Sequence, residues 1–196
     1  MKSPLRSICI FCGSAPGHRP DYAEMAAAFG TLLGQRSIRL VYGGGNDGLM
    51  GALADAALAA GAEVIGVIPQ MLVDRELAHR GTDLRIVTSM HERKALMAEL
   101  SDAFVALPGG LGTYEELFEV LTWAQLGIHH KPVACLNVLG YFDPFAQLLD
   151  RAVEEGFLRP ENRRMFLSAS DPEELLTQLI QHAPRREKEP PIREVV

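Results

Sequence analysis

Three times in this chain a short β-rich apolar run ends in a cluster of glycines that opens onto a stretch of helical period. Residues 7–11 lead into Gly13-Ser14-Ala15-Pro16-Gly17, residues 38–42 into Gly43-Gly44-Gly45-Asn46-Asp47-Gly48, and residues 103–107 into Pro108-Gly109-Gly110-Leu111-Gly112. Apolar runs of this length, alternating with helical segments, build a parallel sheet covered by helices on both faces. The fold class expected is α/β, a single Rossmann-like domain whose open, mostly parallel sheet has helices on both faces. Further strands are expected at 63–68, 84–87 and 132–138, and helices at about 21–33, 49–60, 89–100, 113–126, 144–155 and 171–182. The last of these helices opens on an aspartate followed by a proline.

With 196 residues, 47% of them hydrophobic, the chain suits one domain. That domain is expected to span 1–182, and 183–196 to be a charged, proline-rich tail, loosely attached. A net charge of -6 gives no general attraction to a polyphosphate backbone, so no nucleic-acid partner is expected. No run approaches the roughly 18 apolar residues of a membrane span, and no leader pattern opens the chain, so no membrane partner and a cytoplasmic location are expected. Cys9 and Cys12 have redox spacing, but a strand period of two sends them to opposite faces, which favours core packing. His18, His79, His91, His129, His130 and His182 show no metal-ligand spacing, so neither a catalytic metal nor a cofactor is expected.

In an open parallel sheet ligands bind beyond the carboxyl ends of the strands, so the three glycine turns can converge on one crevice. Glycine lets backbone N–H groups approach a phosphate, and a helix N-terminus adds partial positive charge. Any one of these turns is read first as a tight bend or a close packing contact; together they favour an anionic ligand. The 43–48 run also fits a dinucleotide fingerprint, but it follows the second strand and lacks a strand-terminal acid about 20 residues on. The polar stretch 74–83, with Arg75, Glu76, His79 and Arg80, is too charged for a core element and suits a functional loop or lid.

Thr113 and Glu116 have the spacing of a capping box, yet Glu116 also lies one turn beyond the glycine loop, where a carboxylate can face the positive charge that develops at a sugar C1. Both readings stand at this level. Ser89 and Glu92 form a second possible capping box and leave Arg93 and Lys94 one turn into a helix. Those cations fit either a solvated face or a clamp for phosphate or a leaving purine. Met90, Met97 and Trp123 suit an apolar wall or plain core, and the stripe Leu117, Val120, Leu121 and Ala124 suits core or a dimer face.

Six motifs carry a resemblance: Cys12-Gly13-Ser14, Tyr42-Gly43-Gly44-Gly45, Gly48-Leu49-Met50-Gly51, Met90-His91-Glu92-Arg93-Lys94-Ala95, the run from Pro108 to Glu116, and Thr122-Trp123-Ala124-Gln125-Leu126-Gly127. On them the chain resembles the LOG ("lonely guy") family of cytokinin riboside 5'-monophosphate phosphoribohydrolases, long mislabelled as lysine decarboxylases. The resemblance implies Arg93 and Glu116 as the catalytic pair. It implies substrate contacts from Glu76, Lys94, Gly110, Leu111, Gly112, Thr113, Tyr114, Glu115 and Thr122, and the glycine turns themselves add Ser14, Gly44 and Gly109 as expected phosphate contacts. It also implies a homodimer with its active site near the subunit interface, acting on a nucleoside monophosphate. Two further readings remain: a carrier or sensor module that binds a nucleotide without turning it over, and an NAD-dependent dehydrogenase.

Overall fold

The structure, a computed structural model, describes residues 5–74 and 78–184. Glu76 and Arg75 in the polar loop, and the tail beyond residue 184, lie outside the described residues. Strands and helices alternate as β1 (Ser7–Phe11), α1 (Pro20–Gln35), β2 (Arg39–Tyr42), α2 (Gly48–Ala59), β3 (Val64–Pro69), α3 (Gln70–Val73), β4 (Asp83–Val87), α4 (Met90–Glu99), β5 (Ala103–Ala106), α5 (Leu111–Gln125), β6 (Val133–Leu136), α6 (Asp143–Glu154), α7 (Pro160–Arg163), β7 (Phe166–Ala169) and α8 (Pro172–His182). A single 3-10 turn, Val138–Gly140, joins β6 to α6.

The strands form one sheet in the order β4-β3-β2-β1-β5-β6-β7. Every pairing among them is parallel. Alternation along each strand divides the apolar side chains between two cores. From β1, Ile8 and Ile10 face α1, α2 and α8, while Cys9 and Phe11 face α4, α5 and α6. The two cysteines therefore part as their spacing predicts: Cys9 joins the second core and Cys12 packs against the first.

β7 has no counterpart in the sequence reading. It is a four-residue edge strand pairing only with β6, with Ser168 exposed and Leu167 half-buried, so its composition carries too little apolar signal. The one-turn helices α3 and α7 are likewise too short to show a period.

α1 crosses α2 at close range. A Cβ on Gly30 would fall on the Leu53 carbonyl oxygen and lie 3.1 Å from the Ala57 nitrogen, and one on Gly34 would lie 2.5 Å from the Ala60 Cβ. Mid-helix glycines normally cost about 0.5–1 kcal/mol relative to alanine. Here they remove the side chains that would hold the two backbones apart. Gly30→Ala is therefore expected to destabilise the protein by about 1–3 kcal/mol, against its helix propensity, measured as a lower urea midpoint with an unchanged slope.

Candidate active site

The strand order places β1 beside β5, so the chain leaves β1 for one half of the sheet and returns at β5 to build the other. The crevice of such a sheet opens between the ends of those two strands. The Gly13 N–H donates to the Pro108 carbonyl at 3.0 Å, and Leu49 N–H donates to the Gly13 carbonyl at 3.1 Å. Gly48, in the left-handed region at φ +60°, lies directly against the Ser14 backbone. All three glycine turns thus share one crevice.

Packing and turn geometry account for some of these glycines. A Cβ on Gly109 would fall on Thr113 Oγ1 and lie 2.8 Å from the Gly13 nitrogen, and one on Gly43 would fall on Arg93 Nη2. Gly44, at φ +77°, packs on Ile68 and accepts a hydrogen bond from His79 N–H at 2.9 Å. Gly110 and Gly112 have neither reason: a Cβ on either would meet nothing within 4 Å, and neither takes a left-handed φ. Space left open beside a backbone amide is space for a ligand.

α5 begins at Leu111 with Gly110 as its N-cap, and no side chain caps it. The capping box expected of Thr113 and Glu116 does not form. The Tyr114 N–H finds the Gly110 carbonyl at 3.1 Å, which starts the helix two residues early and turns the Thr113 side chain inward against Gly109. The leading amides of a helix have no intrahelical acceptor and carry its positive end. Here they lie among exposed residues, with Leu111 87% exposed. Uncapped, exposed amides at a helix start are the arrangement that favours an anion.

Glu116, freed from capping, meets Arg93. Ser89 caps α4 by accepting from the Glu92 N–H at 3.1 Å, while the Glu92 carboxylate accepts from Thr88 N–H at 2.8 Å rather than from the Ser89 amide. This helix start aims Arg93 into the protein. Its Nε donates to the Val67 carbonyl at 3.1 Å and its Nη1 to Glu116 Oε1 at 2.6 Å. Arg93 is 9% and Glu116 8% exposed. Burial pushes the Glu116 carboxyl above the ordinary carboxylate range, and Arg93 works against that rise.

Lys94 Nζ donates to Glu115 at 2.5 Å and to Glu119 at 2.8 Å. Burial alone would lower its pKa, but these two carboxylates outweigh burial and raise it. A small cavity beside Glu116 is walled by Phe11, Phe104, Val120 and Trp123. Of the three residues considered for an apolar wall, only Trp123 lines it; Met97 is buried in the core and Met90 is exposed.

The remaining expected residues fall in different places. Ser14 is exposed at the crevice. Tyr114 spends its hydroxyl on Tyr141, donating at 2.9 Å, and Tyr141 donates to the Gly109 carbonyl at 2.5 Å. Burial pushes Tyr114 up to about 12, so it remains a donor at neutral pH. Thr122 is exposed, its hydroxyl donating to the Phe118 carbonyl at 2.7 Å, and six residues of helix set it about 9 Å along the axis from Glu116. The loop from Ala78 is stapled to the second glycine turn by a Gly45–Ala78 bridge, and His79 Nε2 lies 3.0 Å from Asp55. Tyr141 is absent from the residues singled out in the sequence; nothing in its surroundings marks it except a turn of Gly140 and Asp143.

The fold defines a class: a Rossmann-like α/β protein whose glycine turns gather at the switch point of an all-parallel sheet. A family model described as "Possible lysine decarboxylase" matches residues 50–179. The cytokinin riboside 5'-monophosphate phosphoribohydrolase LOG1 of Arabidopsis thaliana is 50% identical over 189 residues, 96% of this chain and 89% of that protein. The enzyme LOG of Oryza sativa subsp. japonica, which bears the same activity in its name, is 50% identical over 187 residues, 95% of this chain and 77% of that protein. The chain belongs to the LOG family. Among solved structures, the molybdenum cofactor binding protein of Rippkaea orientalis shares the fold, with a TM-score of 0.66, 26% identity, and coverage of 89% of this chain and 96% of that one.

Because Gly112 has no structural reason to be glycine, Gly112→Ala separates ligand approach from turn geometry. The melting temperature is expected to hold or rise slightly, while calorimetric affinity for ribose 5-phosphate falls about tenfold, roughly 1.4 kcal/mol. Unchanged affinity would return Gly112 to a merely permissive turn.

Proposed function

We propose that this protein hydrolyses the N-glycosidic bond of a purine nucleoside 5'-monophosphate, releasing free base and ribose 5-phosphate. The observation that carries this reading is the buried Arg93–Glu116 pair, lying just behind an uncapped helix N-terminus flanked by two glycines with open space beside them.

In this reading the 5'-phosphate rests on the amides of Gly110, Leu111, Gly112 and Thr113, with the Ser14 hydroxyl facing it from the first turn. Gly109, Gly44 and Tyr114 support that cradle from behind. The ribose then lies over the first turns of α5, toward Glu116. As the bond from C1' to the purine breaks, its electron pair leaves with the base and positive charge develops across C1' and the ring oxygen. The Glu116 carboxylate faces that charge and orients the water that adds to C1'. The proton released from the water ends on the departing base. Arg93 holds the carboxylate ionised and oriented, and its positive charge favours a base that is gaining electrons.

Lys94 is not a Schiff-base lysine. Two carboxylates hold its ammonium protonated, which removes the lone pair that imine formation needs. The activity named in the family model's description therefore finds no nucleophile in this residue. Lys94 and Glu115 instead set the charge at the edge of the crevice.

Both AMP and N6-modified cytokinin riboside monophosphates are proposed as substrates of this AMP nucleosidase type of activity. We place the reaction in the cytoplasm, on free nucleotides and apart from nucleic acid; among the described residues no helix is long and apolar enough to cross a membrane. A homodimer is proposed, with Thr122, and Glu76 from the polar loop, completing the site near the interface. The distance of Thr122 from Glu116 along α5 supports this, as do the exposed Leu111 and Phe118 on that helix and Leu126 just beyond its end. Catalysis is assigned to a single domain over residues 1–182.

Glu116→Gln keeps size and removes charge. Base release from AMP and from isopentenyladenosine monophosphate is expected to fall about 10²–10⁴-fold with the circular dichroism spectrum unchanged; near wild-type turnover would remove Glu116 from the chemistry. Saturable nucleotide binding by wild-type protein with no base released would leave a carrier instead. Because the ionised carboxylate is required and burial raises its pKa, kcat/KM should fall on the acid side with an apparent pKa above 4.5. Since Arg93 opposes that rise, Arg93→Ala is expected to move the residual activity's acid limb further upward.

A further inference from the structure

Tyr141 belongs to none of the motifs that mark this site. It follows the 3-10 turn after β6, 32 residues from Gly109, yet its hydroxyl donates to the Gly109 carbonyl at 2.5 Å. The same oxygen accepts from Tyr114 on the first turn of α5 at 2.9 Å. The Tyr22 ring packs edge-on against the Tyr141 ring at 5.8 Å between centroids.

The turn that presents this hydroxyl carries backbone strain. Leu139 lies in the left-handed region at φ +55°, a conformation that is strained for a residue with a Cβ, and Gly140 follows at φ +74°. The turn is clamped by Asn137, whose side chain donates to Asp143 Oδ1 and accepts from the Phe142 N–H, both at 2.7 Å. An over-determined, strained turn that delivers one hydroxyl to one carbonyl calls for a reason at that carbonyl.

The reason lies across the peptide bond. The Gly109 carbonyl and the Gly110 N–H share one planar trans peptide and point in opposite directions. Gly110 has open space where a Cβ would stand, so no side chain of its own fixes the direction of its N–H. A hydroxyl that holds the carbonyl on one side thereby holds the N–H on the other.

We propose that Tyr141 is a positioning residue for phosphate recognition: by fixing the Gly109 carbonyl it aims the Gly110 amide, the leading donor of the phosphate cradle, at the 5'-phosphate. This deepens the nucleotide reading given above and rests on it. Tyr114 contributes one step removed, by orienting the Tyr141 hydroxyl from the helix whose N-terminus completes the cradle.

Tyr141→Phe deletes one oxygen and keeps the ring packed on Tyr22. KM for AMP is expected to rise about tenfold, with kcat within about threefold of wild type and the melting temperature nearly unchanged. Calorimetric affinity for ribose 5-phosphate should fall by the same factor, while affinity for adenine stays constant, a split that general loosening of the fold would not produce. Tyr114→Phe, which leaves the Tyr141–Gly109 bond in place, should move both quantities in the same direction by about two- to threefold. Unchanged ribose 5-phosphate affinity in Tyr141→Phe, or equal losses for ribose 5-phosphate and adenine, would overturn the proposal. If wild-type protein released no base, the glycosidase reading would fail, while the phosphate titration would still decide the role of Tyr141.

Discussion

The contact between Arg93 and Glu116 ties together the elements around the crevice of this molecule. Two opposite charges at a hydrogen-bonded 2.6 Å, each nine-tenths buried, cost much solvation and need close partners to persist. The protein supplies them from three places: the Val67 carbonyl within β3 takes Nε, Glu116 on α5 takes Nη1, and Gly43 after β2 leaves room for Nη2. A hydrophobic pair of similar volume would hold these elements together at least as well. The charges are therefore best understood through what they do at the crevice, where one carboxylate is kept buried, raised in pKa and oriented.

The glycine turns serve two separable purposes. Gly13, Gly43, Gly48 and Gly109 are small so that protein can approach protein: turn against turn, guanidinium against backbone, Thr113 against loop. Gly110 and Gly112 stand beside open space at the head of α5. Only the second pair points directly to a ligand, and it sits where helix charge and uncapped amides already favour an anion. The Tyr114–Tyr141 pair then joins the loop after β5 to the segment after the neighbouring strand β6.

Lys94 shows how neighbours assign chemistry. A lysine beside a buried carboxylate in a cleft invites a nucleophilic reading, yet Glu115 and Glu119 turn it into a fixed, protonated charge. Cys9 and Cys12, with the spacing of a redox pair, are likewise neutralised by position: they pack in different cores, and burial pushes both thiols up. In both cases residue type alone suggests a reaction that the surroundings forbid.

Strand and helix order, the two-faced sheet and the residues of the Arg93–Glu116 pair were legible from sequence, because hydrophobic period and glycine punctuation are local signals and because six motifs resembled one family. The local signal left Glu116 between cap and catalyst. Tertiary structure removes the cap: α5 starts at Leu111, so Thr113 is not an N-cap, and Glu116 turns to a guanidinium brought from α4 across β3. β7 and Tyr141 were invisible for the same physical reason. A four-residue edge strand has little apolar pattern of its own, and a hydroxyl aimed at a carbonyl 32 residues away has none until the chain is folded. The sequence by itself determined which segments could pair and which chemistry-bearing residues were present; only the packed sheet decided which charges meet, which glycines face open space, and which amide is held ready.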